Sequence, residues 1–345
     1  MKLSLTDGSE MQNSKPRIVR LTHDAGWGYD IEAILGPVAE IETFTAKTVN
    51  EVTHACMGAI VLVVTHASQR RLVQEALPSL ADIKYLYVSG SGYDPIDPGL
   101  AGKQGIILCH NPDFCTQEVA EHAVALMLSA WRKITAVDRR IRGGGFPSWQ
   151  EFRPITRIWG KTAGVVGFGR SGQAVAKRLK GLGMRVVVYD HHAERKQALL
   201  DEIAVIPVSF QALLKEADAV TLHVPLNAET DKMIGRKELQ MMKRSAILVN
   251  TSRGQVLDET ALVDALRQDV ISGAALDVFE EEPLPEDHSL RKLENAILNA
   301  HMASTSEEST SLTDLAHEIK NVLAGGNPLN PVSTANPLIY PPHDG

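Results

Sequence analysis

Cysteine is scarce: three residues, Cys56, Cys109 and Cys115, in a chain of 345. They form no CxxC and no Cys/His ladder. That excludes a disulfide framework and a zinc finger, predicts no metal site, and suits a reducing, cytoplasmic setting. Long apolar runs are also missing. No window approaches the roughly 18 uninterrupted apolar residues of a membrane span, so no membrane is expected. Positive charge is not in excess either, since 35 Lys and Arg against 42 Asp and Glu leave −7. Without a basic stripe, nucleic acid and anionic lipid are poor principal partners. The leader MKLSLTDGSEMQNSKP has no apolar core of the secretory kind. What is present is ordinary globular composition, 44% hydrophobic and 22% charged. At about 150 residues per domain the length suggests about two domains. A chain of this mass buries about three quarters of its surface without staples.

Short apolar runs alternate with helical stretches along the chain. Arg17–Leu21, Glu40–Phe44, Ala59–Thr65, Lys84–Val88 and Gly105–Cys109 read as one series of strands. Gln117–Arg142 reads as one long helix, stopped by the glycines 143–145 and followed by the polar, aromatic loop FPSWQEFRPITRIWGK. A second series follows at Ala163–Gly167, Arg185–Asp190, Ala204–Val208, Ala219–His223, Ala246–Asn250 and Ser272–Val278, with a last helix expected over Ser306–Leu323 and a Pro/Asn-rich tail. Strands spaced by helices predict an α/β chain with parallel sheets.

Ala163–Gly172 is an apolar strand running into GxGxxG and then a helix. Gly167 permits the tight turn, Gly169 lets backbone approach a pyrophosphate, and Gly172 allows close helix packing, with the helix amides offered to the phosphate. The next strand ends in Asp190, 18 residues past Gly172. A carboxylate there accepts both adenosine-ribose hydroxyls and repels a 2′-phosphate, and His191 and His192 follow rather than arginine. These residues favour NAD over NADP. About 160 residues precede the turn, so the coenzyme domain reads as inserted into the first block, with the final helix returning to complete that block. Ligands bind at the carboxyl ends of strands, which predicts a substrate cleft between the two blocks.

Three later segments put reactive side chains just after strands. Arg253 and Gly254 follow ILVN, three glutamates (Glu280, Glu281 and Glu282) follow Asp277, and His301 follows AILNA. Each alone has a plainer reading: a surface arginine, a solvated charge run, a structural histidine. Together they supply a planar fork for a carboxylate, an orienting acid and a general acid/base, the set needed for hydride transfer to a 2-oxo acid. Composition does not choose among the three glutamates.

With SGSGYDPID (Ser89–Asp97), QEVAEHAVALML, VVGFGRSG, HVPLNAET (His223–Thr230), LVNTSRG, ALDVFEEEPLP and NAHMAS in this order, the chain resembles the D-isomer-specific 2-hydroxyacid dehydrogenases over residues 17 to 335. GSGYD with RPITRIWGKT is most similar to bacterial relatives of C-terminal binding protein, and more distantly to phosphoglycerate dehydrogenase. The resemblance implies a fold of two doubly wound parallel-sheet domains. A flavodoxin-like substrate domain (1–109 and 300–345) would be interrupted by an NAD-binding Rossmann domain (110–299). It implies Arg253, Glu282 and His301 as catalytic residues, Glu282 being selected as the glutamate before proline. For NAD it implies Gly167, Gly169, Arg170, Ser171, Gly172 and Asp190, then His223, Val224, Pro225, Thr230 and Thr251, with Asp277 and His301 near the nicotinamide. For a 2-oxo or 2-hydroxy acid it implies the Ser91 and Gly92 amides opposite Arg253, with His301. Relatives are dimers joined through their coenzyme domains, so a homodimer is expected.

Departures qualify the likeness. Val88 stands where many relatives carry a basic residue, which weakens a phosphorylated substrate, and Met302–Thr305 differs from the usual glycine or aromatic. No regulatory domain of the long phosphoglycerate dehydrogenases is expected after the last helix. Glu282 argues against formate dehydrogenases, which carry glutamine there. Phosphite-type dehydrogenation and an NAD(H)-sensing interaction protein of the C-terminal binding protein type are the alternatives.

Overall fold

The computed structural model describes residues 15–22, 29–305 and 311–332. Among these, residues up to Asn111 and from 311 onward form one compact unit, and Pro112 to 305 form the other. The return to the first unit therefore comes after 305 rather than at 300. Residues 300–305 stay with the second unit because the carboxylate of Asp277 holds the Met302 and Ala303 amides at 2.9 and 2.8 Å. The leader, the tail and the expected helix start at 306–310 lie outside the described residues.

The first unit is a five-stranded parallel sheet of β1 (Arg17–Leu21), β2 (Glu40–Phe44), β3 (Val61–Val64), β4 (Tyr85–Val88) and β5 (Ile107–His110), in the order β2-β1-β3-β4-β5. The register sets Val19 beside Leu62 and Tyr87 beside both Val63 and Cys109. β3 is buried at every position. A strand covered on both faces by helices needs the continuous VLVV run rather than alternation. On one face Ile18, Val61, Val63, Tyr87 and Cys109 are covered by Ile31 and Leu35 of the helix Tyr29–Leu35 and by Leu312, Leu315, Ala316 and Ile319 of the helix Ser311–Leu323.

The second unit is a seven-stranded parallel sheet of β6 (Thr162–Val166), β7 (Arg185–Tyr189), β8 (Ile206–Pro207), β9 (Ala219–Leu222), β10 (Ile247–Asn250), β11 (Gly273–Leu276) and β12 (Ala296–Leu298). Its order is β8-β7-β6-β9-β10-β11-β12. The direction of winding reverses between β6 and β9, and such a switch point leaves a crevice at the strands' carboxyl ends. β8 is shorter than the expected Ala204–Val208, because Ala204 turns left-handed at φ 56° and Pro207 is tolerated only at a sheet edge.

The expected long helix is two. Thr116–Trp131 packs on the helix Arg170–Gly181 through Ala120, Ala123 and Met127, and Arg178 bonds Glu121 across the pair at 2.8 Å. Lys133 then takes a left-handed conformation, φ 58°, and the chain restarts as Ile134–Arg142. That second helix and the loop after it expose Ile134, Ile141, Phe146, Trp149 and Trp159.

Candidate active site

The glycine turn sits where β6 ends. A Cβ on Gly167 would lie 2.3 Å from the His223 carbonyl oxygen, and one on Gly172 2.0 Å from the Gly167 oxygen. Both contacts are with backbone, which cannot yield, so these glycines are sterically required. A Cβ on Gly169, by contrast, would meet nothing within 4 Å. Open space above a helix N-terminus, bounded by the two packed glycines, fits a pyrophosphate. Arg170 and Ser171 open that helix, with Arg170 exposed and paired to Asp113 at 2.6 Å. Across the crevice runs His223–Thr230. Burial lowers the pKa of His223 to about 4, and its Nε2 lies 2.9 Å from Thr221 Oγ1, so the ring is neutral. The Thr230 hydroxyl closes this loop on itself, donating to the Pro225 oxygen and accepting from Asn227 N–H. Thr251, just past β10, has a buried hydroxyl with no partner among the described residues. An orphaned buried hydroxyl beside an open cradle fits a bound ligand group.

Asp190 closes the far end of the cradle. Its Oδ2 accepts from Phe168 N–H and Lys196 Nζ, both at 2.7 Å, and its Oδ1 accepts from His192 N–H at 2.9 Å. Burial alone would raise its pKa, but Lys196 and the two amides outweigh that and hold the carboxyl below its usual range.

The reactive side chains stand at the carboxyl ends of adjacent strands. After β10, the Asn250 side chain donates to the Arg253 carbonyl and accepts from Ser252, which fixes the turn that presents Arg253. Gly254 lies against the chain after β11, where a Cβ would come within 1.8 Å of the Phe279 carbonyl carbon. After β12, His301 takes a left-handed φ of 52°, and its N–H bonds the Asp277 oxygen at 2.7 Å. Its Nδ1 lies 2.7 Å from Glu282 Oε2. An ionised carboxylate only accepts, so Nδ1 carries the proton. Burial pushes the Glu282 carboxyl up, but the His301 hydrogen bond and charge, the Phe279 N–H and the Arg253 charge together hold it below the ordinary range. The dyad therefore fixes the ring's orientation and leaves Nε2 for proton exchange with a ligand.

Asp277 is fully buried, with its oxygens on the Met302 and Ala303 amides and His122 Nε2 3.4 Å away, so its side chain secures the His301 turn. Ser91 and Gly92 belong to the first unit, in the turn after β4, where the Ser91 oxygen lies 2.8 Å from His110 Nδ1. The three glutamates differ in place. Glu282 meets His301 and Glu281 is exposed. Glu280 exchanges bonds with Glu259: Glu280 N–H donates to Glu259 Oε1 at 2.6 Å, and Glu259 N–H donates to Glu280 Oε1 at 3.1 Å. With Gln255 on the Glu280 oxygen, this clamp anchors the segment that carries Glu282. Neither Glu259 nor Lys196 was legible as part of the site, because each lies just past a motif and folds back through a turn that the motif does not encode.

The family model for the NAD-binding domain of D-isomer-specific 2-hydroxyacid dehydrogenases matches residues 124–303. The chain belongs to that family. It is 45% identical to a glyoxylate reductase of Korarchaeum cryptofilum over 69% of this chain and 71% of the relative. It is 42% identical to a glyoxylate reductase of Thermococcus litoralis over 81% and 82%. Among solved structures it is similar to an NADPH-dependent glyoxylate/hydroxypyruvate reductase of Sinorhizobium meliloti in complex with NADP and malonate. That match has a TM-score of 0.79 and 26% identity, covering 95% of this chain and all of the other. As a family member this dehydrogenase is an NAD(P)-dependent 2-hydroxyacid oxidoreductase of α/β fold. No helix among its described residues is long and apolar enough to cross a membrane.

Proposed function

We propose that the protein reduces a short, unphosphorylated 2-oxo acid of the glyoxylate type to its 2-hydroxy acid, and runs the reverse reaction. The His301–Glu282 bond of 2.7 Å at the end of β12 carries this reading. When bound, the nicotinamide coenzyme supplies or takes the hydride. His301 gives its Nε2 proton to the carbonyl oxygen as that oxygen becomes an alkoxide, and takes it back in oxidation. Glu282 keeps the imidazole in one orientation and one tautomer. Arg253 pairs with the substrate carboxylate through its fork. The Ser91 and Gly92 amides are assigned to the same carboxylate on the family resemblance alone. Two relatives named glyoxylate reductase support a small substrate, and Val88 in place of a cation disfavours a phosphorylated one.

His301→Ala is expected to lower turnover by about 10²–10⁴-fold while NADH still binds, measured by NADH oxidation against glyoxylate, hydroxypyruvate, pyruvate and phosphohydroxypyruvate. Undiminished turnover in that variant refutes the assignment. We also propose that the protein is a cytoplasmic homodimer joined through its coenzyme domain. The run of exposed apolar residues from Ile134 to Trp159 supports a second copy as partner. Three buried cysteines outside any disulfide support a reducing compartment.

A further inference from the structure

We propose that Lys196 sets coenzyme choice by neutralising Asp190, so that the enzyme accepts NADP(H) as well as NAD(H). The inference rests on the coenzyme-binding reading above. An acid at the end of β7 discriminates in two ways: it accepts both adenosine-ribose hydroxyls, and its charge repels a 2′-phosphate. Both are curtailed at Asp190. A carboxylate offers about four acceptor positions. Two positions on Oδ2 are filled by Phe168 N–H and Lys196 Nζ, and one on Oδ1 by His192 N–H. A single acceptor position on Oδ1 remains, enough for one ribose hydroxyl but not for both.

The charge is cancelled as well. Lys196 Nζ sits 2.7 Å from Asp190 Oδ2, with the lysine 26% and the aspartate 12% exposed. This is a partly buried pair, whose mutual screening survives salt better than a surface pair does. The lysine also reaches the Phe168 carbonyl at 3.2 Å, which ties it to the glycine turn. The remaining charged groups of this corner leave one formal negative charge, since Arg195 offsets Glu194 and Glu229 has only a histidine beside it. Arg195 lies 3.9 Å from Glu194, and the exposed rings of His191 and His192 each lie 4.0 Å from a glutamate, Glu229 and Glu194 respectively. A 2′-phosphate would thus meet an aspartate whose charge is offset, and an ammonium with one donor left beyond those on Asp190 Oδ2 and the Phe168 oxygen.

The sequence pattern hides this arrangement. His191 and His192, directly after the aspartate, are the positions from which coenzyme choice is read, whereas Lys196 stands six residues on and folds back through the turn Ala193–Lys196. An unscreened carboxylate facing a phosphate at about 6 Å lowers affinity by about a hundredfold at a protein-surface dielectric. That is the effect Lys196 removes.

The test is equilibrium binding of NADH and NADPH, followed by coenzyme fluorescence, for wild type, Lys196→Met and Lys196→Arg. Wild type is expected to bind the two within about tenfold of each other. Lys196→Met is expected to weaken NADPH by about a hundredfold and to tighten NADH, because it frees a second acceptor position on Asp190 for the ribose hydroxyls. Lys196→Arg should restore NADPH, which separates a charge effect from a collapsed turn. The proposal is overturned if wild type binds NADH but prefers it over NADPH by a hundredfold or more. Equal weakening of both coenzymes in Lys196→Met, with no rescue by arginine, also overturns it. If wild type binds neither coenzyme, the coenzyme-site reading itself fails, and the inference with it.

Discussion

Glu259 offers the sharpest test of how the active-site segment is held. Its carboxylate is buried at the first turn of the helix Glu259–Arg267, on Glu280 N–H at 2.6 Å and with His288 Nε2 3.4 Å from its other oxygen. Asp264, Arg267 and Asp287 line the cavity of about 360 Å³ beside it. Burial pushes its pKa from 4.5 up to about 7; the Glu280 N–H opposes this, and the Glu280 and Glu282 charges add to it. A raised carboxyl pKa means that the folded state holds a proton the unfolded chain has released. Stability from this group is therefore complete below about pH 4.5 and is lost as pH rises through about 7. At about 1.4 kcal/mol per pKa unit, the loss amounts to about 3 kcal/mol. Glu259→Gln keeps an acceptor for Glu280 N–H but does not titrate. In urea unfolding at steps from about pH 5 to about pH 8, the variant should gain on wild type steadily, by about 3 kcal/mol across the range and level above it. Other titrating groups are common to both proteins and cancel in the difference. Parallel curves for the two proteins would refute the reasoning.

Gly254→Ala should be severe, because its Cβ would fall 1.8 Å from the Phe279 carbonyl carbon and 2.0 Å from its oxygen. We expect a loss of about 2–4 kcal/mol in stability together with reduced turnover. An unchanged melting temperature would show that the segment carrying Glu282 moves freely. For the homodimer, Ile141→Asp with Phe146→Asp is expected to yield a monomer in analytical ultracentrifugation that still binds NADH. A dimer of undiminished affinity would place the interface elsewhere.

Strands buried on both faces announce themselves as unbroken apolar runs, which is why VLVV and the valines of RVVVY lie where the pattern puts them. The glycine turn was equally legible, since only glycine survives 2.0–2.3 Å backbone approaches at 167 and 172. Local pattern failed where tertiary context decides. Nothing in the residues around Lys133 forbids a helix, yet the lysine turns left-handed and splits the expected one in two. The three glutamates have one composition and three fates, fixed by whether His301, solvent or Glu259 comes opposite. Asp190 was visible at its strand end, but the lysine that quenches it was not. A residue's chemistry can be read from its type, whereas its partners depend on turns whose geometry no short motif encodes.

The discontinuity of the first unit has a consequence in time. Its sheet is complete once β5 leaves the ribosome, but half the cover of one face comes from Leu312, Leu315, Ala316 and Ile319. Roughly 200 residues of the second unit must be synthesised in between, about 10–40 s at about 5–20 residues per second. Throughout that interval Ile18, Val61, Val63, Tyr87 and Cys109 lack their last helix. The nascent chain carries a half-clothed apolar sheet while an entire second domain emerges and folds, and that interval is when this protein is most exposed to aggregation and most in need of a chaperone.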